Sequence, residues 1–145
     1  MIAVDTNILV YAHRADSAWH QAADRVVQEL AEGRASWAIP WPCLYEFFAI
    51  VTHPKIYQPP TPPAQALTQI DYWLESPSLV LLHEGDRFWD TLQPLVAASA
   101  VRGGAVHDAR VAALCLRNGV KTLFSADRDF SRFSGLRTEN PLRSR

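Results

Sequence analysis

Ile2-Ala3-Val4-Asp5-Thr6-Asn7 is a short apolar run that ends on an acid and two side chains able to cap a helix. Three consecutive apolar residues fit a buried strand, and Thr6-Asn7 can open a helix over Ile8 to Ala12. Strand, candidate site and helix start therefore follow one another within a dozen residues. The rest of the chain repeats that logic, and the repetition decides the fold class.

A helical pattern from Ser17 to Glu32 puts Ala22, Ala23, Val26, Val27 and Leu30 on one face, and Gly33 is expected to close it in a left-handed cap. Trp37-Ala38-Ile39 reads as a second strand, followed by a helix from Cys43 to Val51 with Pro42 in its first turn. Pro54, Pro59, Pro60, Pro62 and Pro63 make 53 to 63 an ordered surface loop. A helix over Ala64 to Glu75, a strand over Leu79 to Leu82 and a helix from Asp86 to about Ala100 come next. Arg102-Gly103-Gly104 breaks that helix, and another runs from His107 to Leu116. Lys121 to Phe124 is a fourth strand, and a short fifth lies around Leu136-Arg137-Thr138. Alternating strands and helices without repeats predict an α/β fold: a doubly wound parallel sheet, helices on both faces, in one domain spanning 1–145.

Four acids stand at the joints of this pattern: Asp5, Glu46 about one turn into its helix, Asp108 in Val106-His107-Asp108-Ala109-Arg110, and Asp127 in Ser125-Ala126-Asp127-Arg128-Asp129-Phe130. Ligand crevices of open parallel sheets lie outside the carboxyl ends of the strands, so these four should converge. Each also has a structural reading by itself. Asp5 could be a helix cap, Asp127 an Asx-turn residue, Asp129 a cap of the turn to Phe130, Asp108 a partner of the helix dipole and Glu46 a solvated helix residue. Four carboxylates in one crevice, however, repel and raise one another's pKa unless a cation neutralises them. Oxygen ligands without a Cys or His array suit Mg²⁺ or Mn²⁺, the usual agents of phosphodiester hydrolysis.

The net charge of −1 conceals an asymmetry. Residues 1 to 100 carry five basic and eleven acidic side chains, a balance of −6, whereas 101 to 145 carry nine basic and four acidic ones, a balance of +5. The C-terminal third is thus a candidate phosphate-binding face, with the tail pair Arg143 and Arg145 assigned to solvent. Cys43 and Cys115 sit in apolar helical stretches and read as reduced core residues. Neither a secretory leader nor an apolar run of membrane-spanning length is visible, so a cytoplasmic protein is expected. His13, His20, His53 and His83 read as surface or capping residues, while His107 adjoins Asp108. The tryptophans read mostly as core, with Trp19 and Trp73 as candidates for a partner surface.

Taken together, Val4-Asp5-Thr6-Asn7, the helical Glu46 after a Trp-Pro turn, Val106-His107-Asp108-Ala109 and Ser125-Ala126-Asp127-Arg128-Asp129-Phe130 resemble the PIN domain, specifically the VapC-type toxin ribonucleases of toxin-antitoxin pairs. The similarity covers essentially the whole chain. It implies a parallel five-stranded sheet between helices and an acidic quartet of Asp5, Glu46, Asp108 and Asp127 holding Mg²⁺ or Mn²⁺. Asn7, Ser125 and Asp129 would support the quartet, with Ser125 standing where the family often has Thr. It further implies an RNA substrate, a small antitoxin that occludes the site, and a homodimer. Arg110, Arg128 and His107 are the candidate RNA contacts.

The chemistry expected of such a site is in-line attack of activated water on phosphorus, with no side-chain nucleophile. Rival readings fit less well. A haloacid-dehalogenase-type phosphatase wants a second acid where Asn7 stands, a receiver domain wants a Lys after a late strand whereas Lys121 precedes one, and a dinucleotide-binding fold wants a glycine-rich turn after the first strand. A catalytically silent PIN-like module that binds RNA or protein is the alternative from another class, and four clustered carboxylates kept without a cation weigh against it.

Overall fold

A computed structural model describes residues 1–143, so Arg145 lies outside the described residues. Five strands form one sheet: β1 (Ile2–Val4), β2 (Trp37–Pro40), β3 (Leu79–Leu82), β4 (Thr122–Phe124) and β5 (Arg137–Glu139). The order across the sheet is β3-β2-β1-β4-β5 and every pairing is parallel. The chain steps outward from β1 through β2 to β3, then returns to the other side of β1 for β4. The direction of winding therefore reverses between β1 and β4, and their carboxyl ends flank the crevice where such sheets bind ligands. The register Val4↔Phe124 sets the residues after those two strands side by side.

Burial follows sheet position. Ala3, Val4, Trp37, Ala38, Ile39 and Leu123 are fully buried, as continuous apolar runs in central parallel strands should be. Edge strand β3 leaves Val80 exposed.

Six α-helices cover the sheet: α1 (Thr6–His13), α2 (His20–Glu32), α3 (Trp41–Val51), α4 (Pro63–Leu74), α5 (Trp89–Ser99) and α6 (Ala105–Arg117), and a 3₁₀ turn spans Arg128–Arg132. All the predicted elements are present. Their ends differ for local reasons. Helix α1 starts two residues early, at Thr6, because Asp5 already occupies the N-cap position. Helix α2 starts at His20 because Ser17 Oγ accepts the Trp19 N–H at 3.1 Å in a tight turn. Helix α5 starts at Trp89 because Arg87 is left-handed, with φ 60°. The expected left-handed cap at Gly33 is not formed: its φ of −72° and ψ of 163° are extended. Glycine is required there by contact instead, since a Cβ would lie 2.9 Å from the Glu29 carbonyl oxygen.

The proline loop is pinned from within. Thr61, buried, lies 3.1 Å from His13 Nε2 and accepts from Arg14 at 3.1 Å, and the Arg14 guanidinium sits 4.3 Å from the Tyr57 ring centroid. His13 is thus an internal strut that also meets Gln69 at 3.0 Å and Phe47 edge-on. Trp73, expected as a partner-surface candidate, is instead buried and packs edge-on against Phe47. Its helix α4 turns it inward because Trp73 shares a face with the buried Ala66. Trp19 is half exposed, consistent with the surface reading. Both cysteines are free and buried. No helix among the described residues is long and apolar enough to cross a membrane.

Candidate active site

Asp5 is the floor of the crevice. It follows β1 directly and is 7% exposed. Its Oδ2 accepts from Ser125 Oγ at 2.8 Å and from Asn7 Nδ2 at 3.3 Å, while Oδ1 accepts from the Cys43 thiol at 3.6 Å. Its side chain makes no helix-cap bond, so capping does not explain it. Burial pushes the Asp5 pKa up to about 6, against the lowering effect of the Ser125 and Cys43 hydrogen bonds, and the nearby Glu46 charge pushes it up further. Burial also raises the Cys43 thiol well above its ordinary range, which keeps it a protonated donor to Asp5.

Asn7 and Ser125 lock the two strand ends together. Asn7 Nδ2 donates to Ser125 Oγ at 3.3 Å and its Oδ1 accepts the Ala126 N–H at 3.1 Å, while Ser125 Oγ accepts the Asp127 N–H at 3.0 Å. These short polar side chains bridge residues more than a hundred positions apart in sequence. Both therefore touch Asp5 and the turn that carries Asp127.

Above this floor Asp108, Asp127 and Asp129 converge, each offering a carboxylate oxygen within 4.8 Å of the others. Asp108 enters from the first turn of α6, and the other two from the turn after β4. The Asx-turn reading of Asp127 is also correct, because its Oδ1 accepts the Asp129 N–H at 2.8 Å and caps the 3₁₀ turn. That bond uses one oxygen of Asp127. Burial raises the Asp108 pKa, and Asp127, Asp129 and Glu46 raise it further in that order, with Arg132 opposing. Asp129, expected in a supporting role, joins Asp108 and Asp127 in this tight group, and Asp5 and Glu46 of the expected quartet stand outside it. The Asp-x-Asp spacing was the signal for Asp129.

Glu46 is exposed on α3, and its Oε2 accepts from Thr6 Oγ1 at 3.2 Å. It faces Asp108 across a cleft of about 490 Å³ whose walls also include Tyr45, His107 and Arg110. His107 therefore stands beside the acids, as expected from its place in the sequence. Arg110 is not a free cation: its Nε donates to Glu84 at 2.5 Å. Arg117 is similarly tied to the Asp86 carbonyl. Arg128 is exposed next to Asp127 and has no carboxylate partner among the described residues.

An all-oxygen trio in which Asp127 and Asp129 add to burial in raising the Asp108 pKa fits a hard divalent cation, which would remove the repulsion. Neither sulfur nor imidazole is among the three ligand groups, so softer metals have no preference for it.

A parallel sheet wound in this order, with an acidic trio over the carboxyl ends of β1 and β4, defines a nuclease-like α/β domain. The PIN domain model matches residues 2–136, and the chain belongs to that family. Among curated relatives, Ribonuclease VapC43 of Mycobacterium tuberculosis is 36% identical over 142 residues, covering 98% of this chain and 96% of the relative. Ribonuclease VapC48 of the same organism is 30% identical over 138 residues, 95% of each chain. The fold is also that of solved structures. VapBC2 from Rickettsia felis, bound to a DNA fragment from its promoter, superposes with TM-score 0.66 at 20% identity, covering 96% of this chain and 98% of the other. Mycobacterium tuberculosis VapC20, a sarcin-ricin loop cleaving toxin, superposes with TM-score 0.69 at 18% identity, covering 94% and 99%.

Proposed function

We propose that this chain is a divalent-metal-dependent endoribonuclease, the toxin of a toxin-antitoxin pair, that cleaves RNA by hydrolysis and leaves 5′-phosphate and 3′-hydroxyl ends. The convergence of Asp108, Asp127 and Asp129 on one point carries the reading. These three would hold Mg²⁺ or Mn²⁺, with Asp5 and Glu46 adding charge from below and from the side. When bound, the cation supplies Lewis-acid charge and acidifies water at near-neutral pH.

The protein's own residues supply the geometry. Ser125 and Asn7 fix the Asp5 carboxylate and, through the Asp127 and Ala126 N–H groups, fix the turn that carries Asp127. Asp127 in turn orients Asp129. Glu46 and His107 border the cleft in which the RNA backbone would lie. An RNA 2′-hydroxyl nucleophile would need a paired general base and acid, commonly two histidines. His107 is the one histidine lining this cleft, whereas His13 and His20 are engaged with Gln69, Thr61 and the Tyr11 carbonyl.

The relatives' names and the VapBC2 assembly support an antitoxin partner for this chain. Half-exposed Trp19 is the candidate for its contact surface. A homodimer acting in the cytoplasm completes the reading, with both thiols kept free. The test is direct: purified protein is incubated with total RNA with and without Mn²⁺, and the cleaved ends are mapped. Metal-dependent 5′-phosphate ends are expected. Cyclic-phosphate ends, or full activity in excess chelator, would overturn the mechanism.

A further inference from the structure

Two hydrogen bonds cross between the start of α1 and the first turns of α3, and each segment gives the other one acid and one donor. Cys43 Sγ, on α3, donates to Asp5 Oδ1 at 3.6 Å, and Thr6 Oγ1, on α1, donates to Glu46 Oε2 at 3.2 Å. We propose that Cys43 and Thr6 are positioning residues: as a reciprocal clasp they fix the places of Asp5 and Glu46, the two acids outside the trio, and so set how strongly those acids draw a divalent cation to it. This rests on the metal-dependent ribonuclease reading above.

Three observations carry it. The first is order along the chain. Asp5 and Thr6 are consecutive, while Cys43 and Glu46 lie three residues apart on α3 and so share one side of that helix. Helices α1 and α3 pack directly against each other, and the Thr6 hydroxyl also reaches the Cys43 sulfur. Four side chains, two from each helix start, therefore form one contact.

The second is burial. Cys43 and Thr6 are both buried, and each bonds a carboxylate of the crevice. A small apolar residue would fill either place, as a buried cysteine often does. It would not give Asp5 Oδ1 a side-chain donor, and Cys43 is the one side chain that supplies it among the described residues, because Ser125 and Asn7 both bond Oδ2. The thiol remains protonated and so remains a donor, since burial and the Asp5 charge raise it well above its ordinary range.

The third is the contrast between the two acids. Asp5 is short and buried in the floor, whereas Glu46 is exposed on a long side chain with much rotamer freedom to lose. A charge attracts a cation according to its distance. Thr6 is what holds the Glu46 carboxylate in the cleft that it shares with Asp108.

The experiment measures the Mn²⁺ concentration at half-saturation by electron paramagnetic resonance, without RNA, for wild type, Cys43→Ala, Cys43→Ser, Thr6→Val and Thr6→Ser. Cys43→Ala is repeated in Asp5→Asn, and Thr6→Val in Glu46→Ala. Each of these two substitutions alone should raise the midpoint about three- to tenfold, at the low end for groups that orient the residues of a metal site, because a thiol is a weak donor and Glu46 is exposed. Each serine variant keeps a hydroxyl and should recover most of the loss. Once its acid is gone, neither substitution should shift the midpoint further. A wild-type midpoint in either Cys43→Ala or Thr6→Val overturns the proposal, as do serine variants no better than these, or shifts that multiply with those of the acid substitutions. A lower melting temperature in chelator with an unmoved midpoint would make the pair structural only. The expected shifts in a protein that cleaves no RNA would retain the clasp and refute the ribonuclease reading instead, whereas a wild type that binds no Mn²⁺ would refute both.

Discussion

Ser125 Oγ donates to Asp5 Oδ2 at 2.8 Å, joining the ends of β1 and β4 across the switch point of the sheet. The same oxygen accepts from Asn7 Nδ2 and from the Asp127 N–H, so one buried hydroxyl serves three partners. Ser125→Ala therefore leaves three polar groups short of a bond at once. A loss of about 2 kcal/mol or more in unfolding free energy is expected by urea denaturation. Ser125 is also the largest influence holding the Asp5 pKa down, so the variant should titrate Asp5 higher. Ser125→Thr retains the hydroxyl and should recover most of the stability. An alanine variant as stable as wild type would show that the bond is not made in solution.

Asp5 also makes the metal-free protein sensitive to pH, and the sign is fixed by burial. Its pKa rises from an ordinary 3.8 to about 6 in the fold, so the native state holds the proton more tightly than the unfolded chain does. The stabilisation from that proton is fully present below about 3.8 and is lost as pH rises through about 6. The difference corresponds to about 3 kcal/mol. Denaturation in chelator from about pH 4 to pH 7.5 should show wild type losing roughly this much relative to Asp5→Asn, whose amide does not titrate. Asp108, raised in the same direction, adds to the slope in both proteins. A wild-type curve that gains on Asp5→Asn as pH rises would invert the argument.

What the sequence discloses and what it hides divide along one physical line. Central strands are legible because burial on both faces demands uninterrupted apolar runs such as Ile2-Ala3-Val4 and Trp37-Ala38-Ile39. Asp5 and Asp127 are legible because strand ends are where such folds place ligands. Properties that depend on a distant partner are not. Arg110 reads as a free cation until the fold supplies Glu84, 26 residues away. Trp73 reads as exposed until Phe47 covers it. Gly33 invites a left-handed cap by habit, whereas the Glu29 carbonyl is what excludes a side chain there. The closeness of Asp129 to Asp108, 21 residues away on another element, is a tertiary contact that spacing alone does not disclose.

Metal binding should separate the trio from the quartet first expected. A cation that binds only the folded site raises the melting temperature with concentration. Mn²⁺ at millimolar concentration is expected to stabilise wild type, and Asp127→Asn, Asp108→Asn and Asp129→Asn should each remove most of that gain. Asp129→Asn is the informative variant. If it responds to Mn²⁺ like wild type while Asp5→Asn and Glu46→Gln do not, the ion sits lower in the crevice than the three converging carboxylates place it.

Glu46 offers the finest division of labour within the site. It is exposed, stands outside the group of acids within 4.8 Å, and influences Asp5 and Asp108 by its charge alone. Glu46→Gln keeps an oxygen to accept from Thr6 Oγ1, so folding should be unaffected. Removing the charge lowers the pKa of both neighbours and weakens attraction for a cation. A group acting at that remove costs about 10–100-fold when lost, whereas Asp127→Asn, which deletes a member of the trio, should remove nearly all cleavage. Single-turnover cleavage of one RNA at saturating Mn²⁺ measures both. Excess Mn²⁺ should narrow the Glu46→Gln deficit, because the defect lies partly in cation affinity, and should leave the Asp127→Asn deficit in place. Equal, metal-insensitive losses in the two variants would put Glu46 among the direct ligands.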